Sequence, residues 1–287
     1  MLNRKMAMIS VLMAGSIFSA NAADIVSYKV GVYEVSLLVE RQNEGNMGIL
    51  IGADDAMKAK YFPTGVIPFQ INAFLIKTPT QAIMVDTGFG TNIFDNIKSL
   101  GVPAEKIDTV LLTHMHGDHI GGLQKDGKAT FPNATIYVAA QEKAYWLPAN
   151  AKPLNDGAEK AFAPYGSKIK TFNPVAIGTK GQEIFPGITA LAAFGHTPGH
   201  TVFLVQSEGK SLLIAGDIAH VMDIQIPVPE ISVTYDVDPV MARESRKKVF
   251  EYVSKNKIPI TGMHLLSPGI GFLEAQTGGG YKFSAVK

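Results

Sequence analysis

Three of the chain's seven histidines and one aspartate fall within Thr113-His114-Met115-His116-Gly117-Asp118-His119, directly after the apolar run Val110-Leu111-Leu112. On an extended segment alternate side chains point the same way, so His114 and His116 can meet one cation. A turn at Gly117 into a helix would carry Asp118 and His119 round to a neighbouring point. Imidazole nitrogen and carboxylate oxygen suit zinc and its borderline relatives. One HxH alone is weak, and a solvated histidine-rich loop is its bland alternative. HxHxDH at the end of a buried strand points to metal. Three further stretches place candidate ligands the same way, just past an apolar run. His196 and His200 lie in GHTPGH after residues 188–193, Asp217 follows Leu212-Leu213-Ile214, and His264 follows residues 258–260. A lone histidine or aspartate there is more often a turn residue. Together they argue for strand ends converging on one edge, where α/β scaffolds place their chemistry.

The elements that must position these residues are short β-branched or alternating runs. Strands are expected over 28–39, 68–77, 82–86, 109–113, 135–140, 188–193, 201–206 and 211–215. Thr78-Pro79-Thr80-Gln81 and Ser207-Glu208-Gly209-Lys210 read as hairpin turns. Helical patterns cover 92–100, ending at Gly101, and 141–147, carrying Tyr145 and Trp146. Asp238-Pro239 supplies a cap and first-turn proline for a helix to about residue 256. Hairpins in both halves with helices between them favour an α/β chain of two packed sheets covered by helices. No linker or repeat interrupts it, so residues 23–287 are expected to form a single domain. Residues 41–68, with Met47, Ile49, Leu50, Tyr61 and Phe62, have no assignable element.

Residues 1–22 stand apart. Arg4 and Lys5 precede the apolar stretch from Met6 to Phe18, and Ala20-Asn21-Ala22 closes it. That is the three-part pattern of a secretory signal. The apolar run of about 13 residues is short of the ~20 that span a bilayer. Cleavage after Ala22 is expected, with a periplasmic or secreted home and no membrane anchor afterwards. It would leave 24 basic against 25 acidic residues. That balance disfavours a nucleic-acid partner, because neutralising phosphates needs concentrated Lys and Arg. Cysteine is absent, which removes disulfides, thiolate metal ligands and a thiol nucleophile.

With HMHGDH, GHTPGH, the GD of AGD and the late GMH in view, the chain resembles the metallo-β-lactamase superfamily. From about residue 70 to 283 it is similar to the methyl parathion hydrolase and acyl-homoserine lactonase branch. LTHMHGDHIGGL, FPNATIYVAAQEKAYWL, FGHTPGHT and HLLSPGIGF carry that likeness. The resemblance implies an αββα four-layer sandwich with two divalent ions, zinc foremost, at one edge. It implies His114, His116 and His196 on the first ion, and Asp118, His119 and His264 on the second. Asp217 would bridge both. Asp86, in MVDTG, would orient a ligand histidine from behind. His200 would do likewise, with replacement of His196 as ligand its alternative. A glutamate stands at the place of His116 in the flavodiiron branch, which disfavours an iron redox role. The absent cysteine and the Gly216-Asp217 pair set the chain apart from the true β-lactamases.

These ligands imply a hydrolase in which a metal-bridging hydroxide attacks a small ester or lactone, an acyl-homoserine lactone among the candidates. Asp118 and Asp217 are the expected proton carriers. His220 stands where lactonases of this branch carry a tyrosine and the methyl parathion hydrolases an apolar residue. As a donor to an oxyanion it would favour carbonyl substrates; a solvent-facing loop histidine is the alternative. Tyr145 and Trp146 are candidates for an aromatic pocket wall, with core packing of their helix as the rival reading. A phosphotriesterase of the methyl parathion hydrolase type is the alternative activity, and a non-catalytic metal-binding periplasmic protein the remote one. The expected partner is a small-molecule substrate. Relatives are often dimers, so a homodimer stays open. In relatives residues 41–68 form a lid; a dimer contact and a plain connection are equally open here.

Overall fold

The computed structural model describes residues 25–148, 156–179 and 181–286. The expected signal segment lies outside them. Two seven-stranded sheets carry the architecture. The first runs in the order Ile25–Val30, Tyr33–Gly45, Ile67–Lys77, Ala82–Val85, Thr109–Leu111, Thr135–Ala139, Ile169–Phe172. The second runs Val175–Ala176, Ile188–Ala192, Thr201–Ser207, Lys210–Ile214, Ile260–Thr261, Gly271–Ala275, Tyr281–Ala285.

The near-continuous hydrophobic strand Ile67–Lys77 shows why they stack. Phe74 and Ile76 enter a core shared with Phe203, Val205, Leu212 and Ile214 of the second sheet. The intervening Ala73 and Leu75 face the opposite way, against Ile93, Ile97, Ala158 and Phe162 of the outer helices. Alternate residues point to opposite faces of a strand, so a strand covered on both sides must be apolar at both parities. The second sheet repeats the rule: Val202, Leu204 and Leu213 pack on Val249, Phe250 and Val253 of the helix Pro239–Asn256. The result is helix, sheet, sheet, helix: the αββα sandwich.

The long helix starts as its sequence dictates. Asp238 accepts from the backbone N–H groups of Val240 and Met241, Pro239 occupies the first turn, and Lys257 ends the helix in the left-handed region at φ 51°. The expected strand over 28–39 is instead the hairpin Ile25–Val30 and Tyr33–Gly45, turning at Gly31 with φ 59°. Val-Gly-Val-Tyr keeps a β-branched texture through the turn, which masks it. Residues 41–68 complete the strand Tyr33–Gly45, then form a 3-10 turn, the two-residue strand Leu50–Ile51 and the helix Asp55–Tyr61. Leu50–Ile51 pairs with Ser232–Val233. A satellite core of Leu50, Phe62, Ile67, Val221, Ile224, Ile231 and Val233 fixes this flap beside the carboxyl edge of the sheets. Among the described residues no helix is long and apolar enough to cross a membrane.

Candidate metal centre

All seven histidines of the chain gather at one edge of the sandwich. The strand Thr109–Leu111 delivers an extended segment through His116, and the short helix Gly117–Ile120 turns Asp118 and His119 inward. His114 Nε2 lies 2.9 Å from His116 Nδ1 and 3.1 Å from His196 Nε2, and His116 Nδ1 lies 2.9 Å from His196 Nε2. Asp217 Oδ2 sits 3.6 Å from His114 Nε2 and 3.4 Å from His196 Nε2. These four side chains form one group able to hold a cation; Asp118, His119 and His264 form a second, and Asp217, His220 and His264 a third that shares one residue with each of the others. Asp118 lies 3.6 Å from His119 Nε2 through Oδ1 and 3.5 Å from His264 Nε2 through Oδ2. Asp217 Oδ2 stands between the groups, 3.3 Å from His119 Nε2 and 3.2 Å from His264 Nε2.

The outer nitrogens explain which atoms face inward. His119 donates through Nδ1 to Asp86 Oδ2 at 2.6 Å. His196 donates through Nδ1 to Asp236 Oδ1 at 2.9 Å, and His264 through Nδ1 to the Gln70 carbonyl at 2.8 Å. His114 Nδ1 meets Thr113 Oγ1 at 3.1 Å, and that hydroxyl donates to Asp86 Oδ2 at 2.6 Å. An acceptor behind His114, His119, His196 and His264 fixes each tautomer and leaves the Nε2 lone pair pointing at the centre, the arrangement metal-binding histidines use. His116 instead turns Nδ1 inward. His119 Nε2 and Asp217 Oδ1 are buried without a hydrogen-bond partner. Such orphans are costly unless a cation takes their lone pairs, so the donor set fits divalent ions.

The electrostatics agree. Although burial pushes it up, the surrounding imidazoles, His119 foremost, hold the Asp217 carboxyl well below its usual range. Burial lowers His119, but Asp217, Asp118 and Asp86 outweigh it and hold this imidazole well above 6.5. Burial, reinforced by His196, pushes His116 down to about 3. The centre thus holds anionic carboxylates and imidazoles that compete for few protons, as a site built for cations would.

His200 has no nitrogen to spare. Its Nδ1 donates to the Ala193 carbonyl at 3.0 Å, and its Nε2 accepts from the Asp217 backbone N–H at 2.9 Å. It clips Asp217 in place from behind and does not substitute for His196. Gly216, at φ 53°, is required here, because a Cβ would come within 2.5 Å of His200 Nε2.

A cleft of about 370 Å³ opens over the centre. Phe69, Ile71, Phe89 and Tyr235 supply its apolar walls, Arg41 and Asn43 its polar rim, and Asp118, Asp217, His220 and His264 its floor. A larger groove of about 820 Å³ between the long helix and the edge strand Val175–Ala176 contains none of the histidines. His220 faces the cleft rather than bulk solvent. Its Nε2 lies 3.1 Å from Asp217 Oδ2 and its ring stacks on His264 at 4.8 Å.

Tyr145 and Trp146 are not among the residues that wall this cleft. Trp146 packs on the first helical core, stands edge-on to His116 at 5.4 Å and gives its indole N–H to Glu142. Tyr145 lies against Trp146. That hydrogen bond turns the ring behind His116. The actual walls could have been sought in Phe69 and Ile71, which alternate on one strand. Asp236 and the bond of Glu142 to the second sheet's loop left no local signal, since His196 and Thr197 lie 40 and 55 residues away.

Comparison with known proteins follows the geometry. The sequence profile of the metallo-beta-lactamase superfamily matches residues 66–256. The crystal structure of the hydrolase AbOPH, of the beta lactamase superfamily, superposes with a TM-score of 0.82 at 31% identity, covering 93% of this chain and 99% of that one. AidC, a dizinc quorum-quenching lactonase solved with the product N-hexanoyl-L-homoserine, superposes with a TM-score of 0.82 at 24% identity, over 92% and 97%. That second likeness speaks for the fold alone. The N-acyl homoserine lactonase AttM of Agrobacterium fabrum strain C58 is 30% identical over 130 residues, 45% of this chain and 48% of AttM. The chain spans 48% to 62% of the length of the first curated relatives it matches. Profile, fold and ligand geometry coincide: the chain belongs to the metallo-beta-lactamase superfamily.

Proposed function

We propose that this protein is a binuclear hydrolase of small esters or lactones, with an acyl-homoserine lactone as the first substrate to try. The observation that carries the proposal is the meeting of both ligand groups on Asp217 at the floor of an apolar-walled cleft. Two divalent ions, zinc foremost, supply Lewis acidity and a water ionised near neutral pH. The protein does the rest. Asp217, fixed by His200, keeps the two groups in register. Asp118, whose side chain is 21% exposed and lines the cleft, takes the proton and returns it to the leaving oxygen. His220 donates a hydrogen bond to the carbonyl oxygen as charge develops there. Phe69, Ile71, Phe89 and Tyr235 exclude water and accept an acyl chain, in a volume suited to a small ligand. The lactonase AttM and the product seen in AidC support this substrate class. Export through cleavage after Ala22 belongs to the same proposal.

The test is a parallel assay of the zinc-loaded chain on an N-acyl homoserine lactone and a nitrophenyl phosphotriester, with metal counted. The expected result is two ions per chain and preference for the lactone. Asp217→Ala should lower the count. Preference for the phosphotriester would move the activity to the alternative type. Turnover of neither substrate by the two-metal protein would overturn the reading.

A further inference from the structure

One buried carboxylate beside the centre has no part in that chemistry. Glu142, in the helix Ala140–Trp146, is fully buried and accepts four hydrogen bonds. Its Oε1 receives the backbone N–H of Met115 at 2.9 Å and Trp146 Nε1 at 2.6 Å. Its Oε2 receives Thr197 Oγ1 at 2.7 Å and the backbone N–H of Gly199 at 2.9 Å. Every partner donates, so the ionised form, which only accepts, is the one that fits.

The four donors are not scattered. Met115 lies between His114 and His116, on the loop from the first sheet. Thr197 and Gly199 follow His196, on the loop from the second. One rigid carboxylate therefore spans the two loops whose imidazole nitrogens must converge. The second loop is pressed onto the same helix, since a Cβ on Gly199 would fall 2.3 Å from the Glu142 backbone nitrogen. A buried charge is an expensive way to fill space. Two oxygens at fixed separation, each holding a different loop, provide what an apolar side chain cannot: a set distance.

We propose that Glu142 is a positioning residue. It fixes the separation of the His114–His116 loop and the His196 loop, and so sets the affinity of the site those three imidazoles form. This rests on the reading that they hold a metal ion. It also ties Trp146, the chain's single tryptophan, to that site, because the same Oε1 holds its indole and the ring stands against His116.

The test titrates the metal-free full chain with Zn²⁺, following tryptophan emission and counting bound zinc. Wild type should bind two ions, with emission changing as the first site fills. Glu142→Gln, which sets an amide N–H₂ against N–H and O–H donors, should weaken that site by about 10- to 100-fold. It should hold one ion where wild type holds two, with the emission midpoint shifted by the same factor. Trp146→Phe removes the indole and with it the emission signal, so its zinc affinity is read by equilibrium dialysis beside the wild type and Glu142→Gln. It should keep both ions within about threefold; a loss equal to that of Glu142→Gln would place the effect in ring packing and overturn the proposal. Wild-type zinc affinity in folded Glu142→Gln would overturn it too. Failure of wild type to bind zinc would instead sink the metal reading. Should Glu142→Gln lose its far-UV circular dichroism, Thr197→Val decides: about tenfold weaker first-site binding supports the proposal, and unchanged binding overturns it.

Discussion

His220 stands three residues beyond Asp217 and lines the cleft beside that carboxylate, its Nε2 3.1 Å from Asp217 Oδ2. Burial, with nearby His196 and His264, pushes its pKa down to about 4 against the pull of Asp217. Its imidazole is therefore neutral near pH 7 and carries one N–H, as a donor to a developing oxyanion must. Asp217 Oδ2 occupies that N–H in the substrate-free protein. His220→Phe keeps the ring stacked on His264 and deletes the donor. Lactone kcat should fall by about 10²-fold, in the range seen for a single oxyanion donor, with two ions still bound and KM little changed. Because the protonated form appears only near pH 4, this contribution should stay flat from about pH 6 upward. Unchanged lactone turnover would remove His220 from the chemistry, and a lost ion would make it a ligand.

The elements hold these residues through close backbone contacts that small residues permit. Gly195 sits at φ 126°, where a Cβ would come within 2.1 Å of the Ala242 backbone nitrogen in the long helix. The helix start also bonds to this loop, Val237 N–H to the His196 carbonyl and Asp238 N–H to the Gly195 carbonyl, both at 2.9 Å. Gly195→Ala must therefore shift the loop, the helix or both. A loss of about 3 kcal/mol or more is expected in denaturant unfolding, as for other strained close approaches, together with weaker metal binding through His196. Wild-type stability would mean that the loop is not pinned to the helix. Legibility in the sequence divides along the same line. Strand ends bearing His114, His196, Asp217 and His264 could be read because each follows an apolar run, a strictly local pattern. The helix Asp156–Phe162 and the strands Gly271–Ala275 and Tyr281–Ala285 escaped notice, being short and weakly periodic. Asp236 and Glu142 escaped for another reason. What makes them matter is a partner brought close only by tertiary packing: the docking of the long helix on the second sheet for Asp236 and His196, the stacking of the two sheets for Glu142 and Thr197.

At the scale of the whole molecule, the centre is a seam. His114, His116, Asp118 and His119 extend from the first sheet; His196, Asp217 and His264 extend from the second. Ions bound by both groups would cross-link the sheets at one edge only. Behind that edge Val30, Leu37, Phe74, Phe203, Leu212 and Ile214 pack the sheets together with apolar side chains alone. Metal removal should leave this packing standing and loosen the edge. A ligand at a thousand times its dissociation constant stabilises the native state by about 4 kcal/mol, so a chelator should lower Tm measurably. Hydrogen exchange should locate the change, because local opening follows local contacts. Amides of residues 113–120, 194–200, 216–221 and 262–266 should exchange faster in the metal-free chain, while those of 74–76 and 202–205 keep their protection. Faster exchange across both sheets would mean that the ions hold the fold itself. No change at the edge would mean that Asp217 and its histidines are already locked by their outer hydrogen bonds, and that metal adds chemistry but no structure.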